Sequence, residues 1–311
     1  MKKNNAICFI VNNKYTFALS AMIVNLQKTN PDLYDEIVVY HDDLTDDDCR
    51  KFLKLETRIR FIKYDYKNWE KEHKPVTAIL AKQFLSRYSH LAWSKYKIFE
   101  LLQYYKRVLY LDLDMIIKGD ISELFTLEGV AWRNGDSFHK KFGSKLKLKD
   151  FSETKNIPED TSTPNGGLIY ISDVIDWQKA LQDGNNFLVK FMDYYEAGID
   201  ELVLAWVVYQ HKLKLTSLDA YTFNTFPQMY KFHTKIIHFM GGEKPWNSEL
   251  MQTVYPEWIQ YFDEAYKTVQ FTSDAIIKYE NPGKFMTKKM NEQRWLEFLR
   301  TCVHKNDKIF L

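Results

Sequence analysis

The chain has 311 residues, 45% of them hydrophobic and 16% aromatic, with 43 basic against 41 acidic side chains and a formal net charge of +2. That length and apolar share suffice for one large globular domain, alone or with a tail. A charge so close to neutral argues against a molecule built as a whole to bind nucleic acid or another polyanion.

Three scattered cysteines, Cys8, Cys49 and Cys302, lack the close pairing of a zinc or redox motif and fit a reducing compartment. After the basic start, Met1 to Asn5, the apolar run Ala6 to Val11 is too short for a signal-peptide core and reads as a buried strand. No window approaches the roughly twenty apolar residues of a membrane span. A cytoplasmic location, with at most peripheral contact at the inner face of the membrane, is the expectation.

Short β-rich runs then alternate with amphipathic segments of helix length, as in βαβ units with a parallel sheet. Ala6 to Val11, Glu36 to Tyr40, Arg58 to Ile62 and Val108 to Leu111 read as strands, and Phe17 to Lys28, Asp46 to Leu55 and Ala92 to Tyr105 as helices. From Asp136 to Thr163 the chain turns lysine-rich and weakly periodic, which predicts a long surface loop over a site. Leu168 to Ser172 and Ile236 to Phe239 resume as strands. From about Tyr279 a tail mixes Lys284, Lys288, Lys289, Arg294 and Arg300 with Phe285, Trp295, Phe298 and Phe310. That mixture suits an anionic membrane surface, or equally a solvated helix whose aromatics pack on the main domain.

Two segments carry chemistry. Arg107-Val-Leu-Tyr-Leu-Asp112-Leu113-Asp114 ends an apolar strand in two carboxylates at i and i+2, on one side of an extended backbone. At the carboxyl end of a parallel strand they would face the crevice where α/β proteins bind ligands. Hard oxygen ligands of this kind suit Mn²⁺ or Mg²⁺ shared with phosphates, although two acids after a strand also form an ordinary solvated turn. The second segment, Ile236-Ile-His238-Phe-Met-Gly241-Gly242-Glu-Lys244-Pro-Trp246, delivers a histidine on a strand, a glycine pair and then a lysine. His238 can supply an imidazole to the same metal and Lys244 can contact a diphosphate oxygen; a satisfied strand-end histidine and an exposed lysine are the plainer alternative.

Together the acid pair and the His-Phe to Lys-Pro-Trp segment resemble glycosyltransferase family 8, which includes glycogenin and bacterial lipooligosaccharide galactosyltransferases. Lys95 in Trp93-Ser-Lys-Tyr, Asn165-Gly166-Gly167 before a strand, and Phe223-Asn224 followed by Pro227 match family motifs in the same order. The resemblance runs from about Ile7 to Trp246 and leaves the tail outside. It implies an α/β chain of GT-A type, with a mainly parallel central sheet flanked by helices, to which the tail, read as helical from its own residues, is appended. Residues 1–250 would be the catalytic domain and 251–311 a basic-aromatic extension.

It further implies that Asp112, Asp114 and His238 hold Mn²⁺, with Mg²⁺ as substitute, against the diphosphate of a UDP-sugar, glucose or galactose being the expected sugar. Asn12, Asn13 and Tyr15 would border the base and ribose, where some relatives place an aspartate. Lys95, Leu113, Asn165, Gly166, Gly241 and Lys244 would complete the donor site. Lys244 would neutralise the leaving group, in a reaction that retains anomeric configuration. Asp200-Glu201 stands where relatives often carry Asp-Gln; Asp200 would position hydroxyls and Glu201 would lie near the reactive carbon. Glu201 would act either as nucleophile in a double displacement or as a hydrogen-bonding group during same-face attack.

The expected acceptor is a cell-surface glycan such as lipooligosaccharide or capsule, and a self-glucosylating protein or a non-catalytic nucleotide-sugar scaffold are the alternatives. A haloacid-dehalogenase-type phosphatase also uses Asp-x-Asp after a strand, but near the start of its fold and followed closely by Thr or Val, whereas here Met115 follows the pair and several strands precede it. Asp46 to Asp48 after Thr45 reads as a capped, acidic first helical turn, so this acidic run and the preceding His41-Asp42-Asp43 are taken as structural. His73, His90, His139, His211 and His233 have no partner at ligand spacing.

Overall fold

The computed structural model describes residues 2–73, 89–143, 156–194 and 199–269, with Lys82 and Thr154. Strands β1 (Lys3–Val11), β2 (Glu36–His41), β3 (Ile59–Lys63) and β4 (Tyr105–Leu111) lie parallel in the order β3-β2-β1-β4. Beyond β4 the sheet continues through β7 (Ser162–Ser172) and β6 (Val130–Ser137), both pairs antiparallel, to β8 (Leu215–Ser217), parallel to β6. A separate ribbon pairs β5 (Met115–Ile117) with β9 (Ile236–His238) in antiparallel register, Met115 opposite His238.

Because successive strand side chains face opposite ways, β1 feeds two cores: Ile7, Phe9 and Val11 on one face, Ala6 and Cys8 on the other. The first face is covered by α1 (Thr16–Thr29), buried from Thr16 to Leu26, and by α8 (Glu257–Thr268), which packs on α1 through Trp258 and Phe262. α5 (Trp177–Phe191) and the apolar α6 (Ile199–Gln210) cover the second face. α2 (Asp46–Leu55) starts at a capping box in which Thr45 Oγ1 accepts the Asp48 N–H, as expected of that acidic run. The short helices α3 (Tyr66–Glu72), α4 (Phe138–Gly143) and α7 (Glu249–Val254) complete the helices among the described residues, none of which is long and apolar enough to cross a membrane.

Two expectations are corrected. Ala92 to Tyr105 is not one α-helix: 3₁₀ turns span His90–Trp93 and Lys95–Gln103, and Tyr105 opens β4. Tyr96, Lys97, Ile98, Phe99, Leu101 and Leu102 are all buried, so packing rather than a one-sided apolar stripe sets the tighter winding. The segment 136–163 is not wholly loop either, since β6 runs on to Ser137, α4 follows with Phe138 and Phe142 buried, and β7 begins at Ser162. The basic-aromatic tail from Tyr279 lies outside the described residues.

Candidate active site

Asp112 follows the last residue of β4, and its N–H donates to Gly167 O at 2.8 Å, so the neighbouring strand β7 fixes where the chain leaves the sheet. A bend at residues 113 and 114 precedes β5, so the acid pair occupies a turn rather than a continuous strand. The β5–β9 ribbon then sets His238 beside it: Phe239 N–H donates to Asp114 O at 2.9 Å, and His238 Nε2 lies 3.2 Å from Asp114 Oδ1 and 3.8 Å from Asp112 Oδ2. Ligand atoms of Asp112, Asp114 and His238 all fall within 4.8 Å of one another.

The imidazole is oriented from behind. Asn224, fully buried with a left-handed φ of 54°, spends its amide NH₂ on Asn165 O and Oδ1, both at 3.1 Å. Its Oδ1 then accepts the His238 Nδ1 proton at 2.7 Å, which turns Nε2 towards the carboxylates. Gly167 is required here because a Cβ at that position would overlap the His238 ring. Two carboxylates and an imidazole whose far nitrogen is hydrogen-bonded form a donor set that fits Mn²⁺ or Mg²⁺.

Lys244 touches Asp114 Oδ2 and Phe239 O. It is carried by the loop after β9, where Gly241 has φ 87° and Asn247 ties the turn by accepting from Lys244 N–H and donating to Gly242 O. Trp246 anchors that loop, its ring 5.4 Å from those of Phe17 and Trp258 and 6.3 Å from that of Tyr15. Burial would raise the Asp114 carboxyl, but His238 and Lys244 outweigh it and hold the group well below the usual carboxylate range.

Opposite stands a cluster of charges. Lys95 opens its 3₁₀ turn and donates to Gly166 O at 2.9 Å, with Asp112 Oδ1 at 3.3 Å and Asp200 Oδ2 at 3.5 Å. Burial alone would lower the Lys95 ammonium; Asp112 and Asp200 outweigh it and raise it. Asp200 is itself raised by burial, against the pull of Lys95 and Lys141. Glu201, beside it in the first turn of α6, accepts the Gly166 N–H at 2.9 Å through Oε1 and meets Lys141 Nζ through Oε2. Tyr110 donates its hydroxyl proton to Asp112.

A cleft of about 190 Å³ leads to Asp112 between Asn12, Tyr15, Ser89, Lys95 and Leu113. Asn12 caps the turn Asn13–Tyr15, and Asn13 N–H donates to Asp43 at 2.8 Å. The fold thus gathers Asn12, Tyr15, Lys95, Asp112, Leu113, Asp114, Asn165, Gly166, Asp200, Glu201, His238 and Lys244 around one crevice, while Gly241 sits in the loop that delivers Lys244 and touches nothing on the side a Cβ would occupy.

Two contributors were not assigned from sequence: Asn224 as the partner of His238, and Lys141. The spacing of Phe138 and Phe142 within a polar stretch, i and i+4 on one buried face, is the signal that marks a helix there. The histidines left aside are used structurally in four cases: His73 bonds Trp69 O and Tyr96 OH, His90 Tyr64 O, His139 Ile157 O, and His211 Asp183. Among the described residues, no metal-competent group includes His41, Asp42 or Asp43.

Comparison with known proteins agrees with this arrangement. Residues 6–160 match the family model described as glycosyl transferase family 8. A protein of Arabidopsis thaliana named for UDP-glucuronate:xylan alpha-glucuronosyltransferase activity is 24% identical over 232 residues, 71% of this chain but 33% of that protein, so the chain spans about a third of its length. An uncharacterized protein of Acanthamoeba polyphaga mimivirus is 29% identical over 244 residues, covering 76% of this chain and 79% of the other. The crystal structure of the galactosyltransferase LgtC, in complex with donor and acceptor sugar analogs, superimposes with a TM-score of 0.61 at 14% identity over 90% of this chain and 99% of that one. The chain belongs to glycosyl transferase family 8 and has the GT-A fold.

Proposed function

We propose that the chain is a retaining hexosyltransferase that moves glucose or galactose from a UDP-linked donor to a glycan acceptor. The observation that carries this reading is the convergence of Asp112, Asp114 and His238 after the carboxyl end of β4, with Asp112 lining the cleft shared by Asn12, Tyr15 and Leu113. These three side chains would hold Mn²⁺, or Mg²⁺ in its place, and the ion when bound supplies charge neutralisation to a diphosphate. Asn12, Asn13 and Tyr15 would receive the base and ribose.

Lys244, on a loop anchored by Trp246 and in contact with Asp114, would follow the diphosphate as negative charge grows on the departing UDP. Across the cleft, Lys95 and Asp200 would hold sugar hydroxyls while Glu201 stands beside the reacting carbon, fixed by the Gly166 N–H. Ordering these groups before substrate arrives lowers the entropic part of the barrier. Family resemblance favours a cell-surface glycan such as lipooligosaccharide or capsule as the acceptor, and the basic-aromatic tail favours work at the cytoplasmic face of a membrane.

The test is UDP release from a panel of UDP-sugars in Mn²⁺ or in EDTA. Mn²⁺-dependent release with one or a few sugars is expected. A folded protein that neither binds UDP in calorimetry nor releases it from any donor would overturn the proposal.

A further inference from the structure

Lys141 has no role in the reading above, yet its ammonium meets Glu201, the carboxylate that this reading sets beside the reacting carbon. It lies on α4, a helix of six residues fastened by its other side: Phe138 and Phe142 are fully buried, their rings stacked 5.5 Å apart, and both pack on α5, Phe142 with its ring 5.2 Å from that of Phe191. A short helix bolted through two aromatics presents Lys141 at a fixed place. The side chain is 21% exposed and that of Glu201 18%, so the contact is largely shielded from open water.

Each Glu201 oxygen therefore has its own partner, the Gly166 N–H on Oε1 and Lys141 on Oε2. Lys95 is engaged elsewhere, with Gly166 O, Asp112 and Asp200. When a donor fills the cleft and excludes water, an acidic side chain without a cationic partner becomes costly, whereas a glutamine would be neutral already. A carboxylate at position 201 thus calls for a cation, and Lys141 is in contact with it.

We propose that Lys141 is a positioning residue for sugar transfer: it acts through Glu201, holding that carboxylate ionised and aimed along the Gly166 N–H while the donor occupies the site. The inference rests on the reading of the cleft as a nucleotide-sugar site. Lys141 is not assigned contact with the reacting atoms.

The experiment compares Lys141→Met, Lys141→Arg and, as a control on the same helix, Lys140→Met, whose exposed side chain pairs with Asp136 at 2.7 Å. Turnover and KM for the UDP-sugar are measured for the full chain in Mn²⁺, with UDP affinity by calorimetry and thermal midpoints. Lys141→Met is expected to lower kcat by about ten- to a hundredfold, the consequence of leaving a carboxylate unpaired in a dry site. KM and UDP affinity stay within about threefold because the nucleotide is held elsewhere. Lys141→Arg restores most of the rate and Lys140→Met leaves it unchanged. A Lys141→Met enzyme with wild-type kcat overturns the proposal, as does a rate loss that arginine fails to restore or that appears only as a lowered thermal midpoint. Absence of UDP release by the wild type overturns the donor-site reading itself and this role with it.

Discussion

The two walls of the cleft are stabilised by different means. On the metal-competent wall, Asp112, Asp114 and His238 are set by a hydrogen-bonded frame, the Gly167 carbonyl, the β5–β9 ladder and the Asn224 amide, to which Lys244 on Asp114 and Lys95 on Asp112 are added. On the facing wall, Lys95, Asp200, Glu201 and Lys141 are set chiefly by one another's charge. A frame of backbone and amide hydrogen bonds keeps its shape whether or not a ligand is present. A frame of ion pairs must share its partners with whatever enters, and its strength depends on how much water remains. Damage to the first wall should therefore appear as lost cation affinity, and damage to the second as lost rate.

Asp114→Ala attacks the first wall directly and should have the largest effect. Removing a ligand that also contacts Lys244 is expected to weaken Mn²⁺ affinity and to lower UDP release on the order of a thousandfold at the Mn²⁺ concentration that half-saturates the wild type, read in the release assay across a Mn²⁺ titration. Glu201→Gln attacks the second wall and sharpens the contrast. It keeps the shape and turns an amide towards Lys141, so kcat should fall about a hundredfold while Mn²⁺ affinity is unchanged in calorimetry. Equal losses of rate and of metal affinity would erase the distinction between the walls.

Asn224→Ala frees the His238 ring without touching either carboxylate. Mn²⁺ affinity in the presence of UDP should weaken about tenfold, as for other partners that orient a ligand from behind, with kcat at saturating Mn²⁺ nearly restored. A rate defect that saturating metal cannot repair would show that Asn224 serves the sugar wall as well, through Asn165.

Glu56, at the amino ends of the strands and away from the cleft, supplies the smallest effect and a baseline. Burial would raise its carboxyl, but Arg58, with help from Gln27 and Tyr34, outweighs burial and holds it down at about 2, against an ordinary 4.5. Its stabilisation is therefore complete above about pH 4.5 and fades as pH falls towards 2. Glu56→Gln should cost about 2 kcal/mol at pH 7 after allowance for solvent screening, with the difference shrinking below pH 4 in urea titrations and UDP release at neutral pH unaffected.

Sequence reasoning reached the parallel half of the sheet because buried parallel strands are continuous apolar runs, and it reached the acid pair because the run at Val108 to Leu111 ends abruptly in charge. It singled out His238 and Lys244 by the glycine pair after a strand, but only the resemblance to family 8 turned them from a strand-end histidine and an exposed lysine into site residues. It did not reach Asn224, whose contact with His238 depends on a left-handed backbone and on the bridge between Thr225 and Ile237, neither of which has a periodic signature. Winding of the Lys95–Gln103 turn escaped it for a related reason. When nearly every side chain is buried, the pattern that distinguishes one helix type from another is absent.

The β5–β9 ribbon has a consequence for the order of assembly. Asp112 and Asp114 emerge from the first half of the chain, but the imidazole that completes their set arrives only with β9, after the long stretch that forms β6, β7, α5 and α6. Contacts so distant along the chain are late to form, because the intervening loop must first be closed. Cation binding by these three side chains would thus be a property of the finished fold, and Mn²⁺ uptake during refolding should lag behind recovery of the parallel sheet.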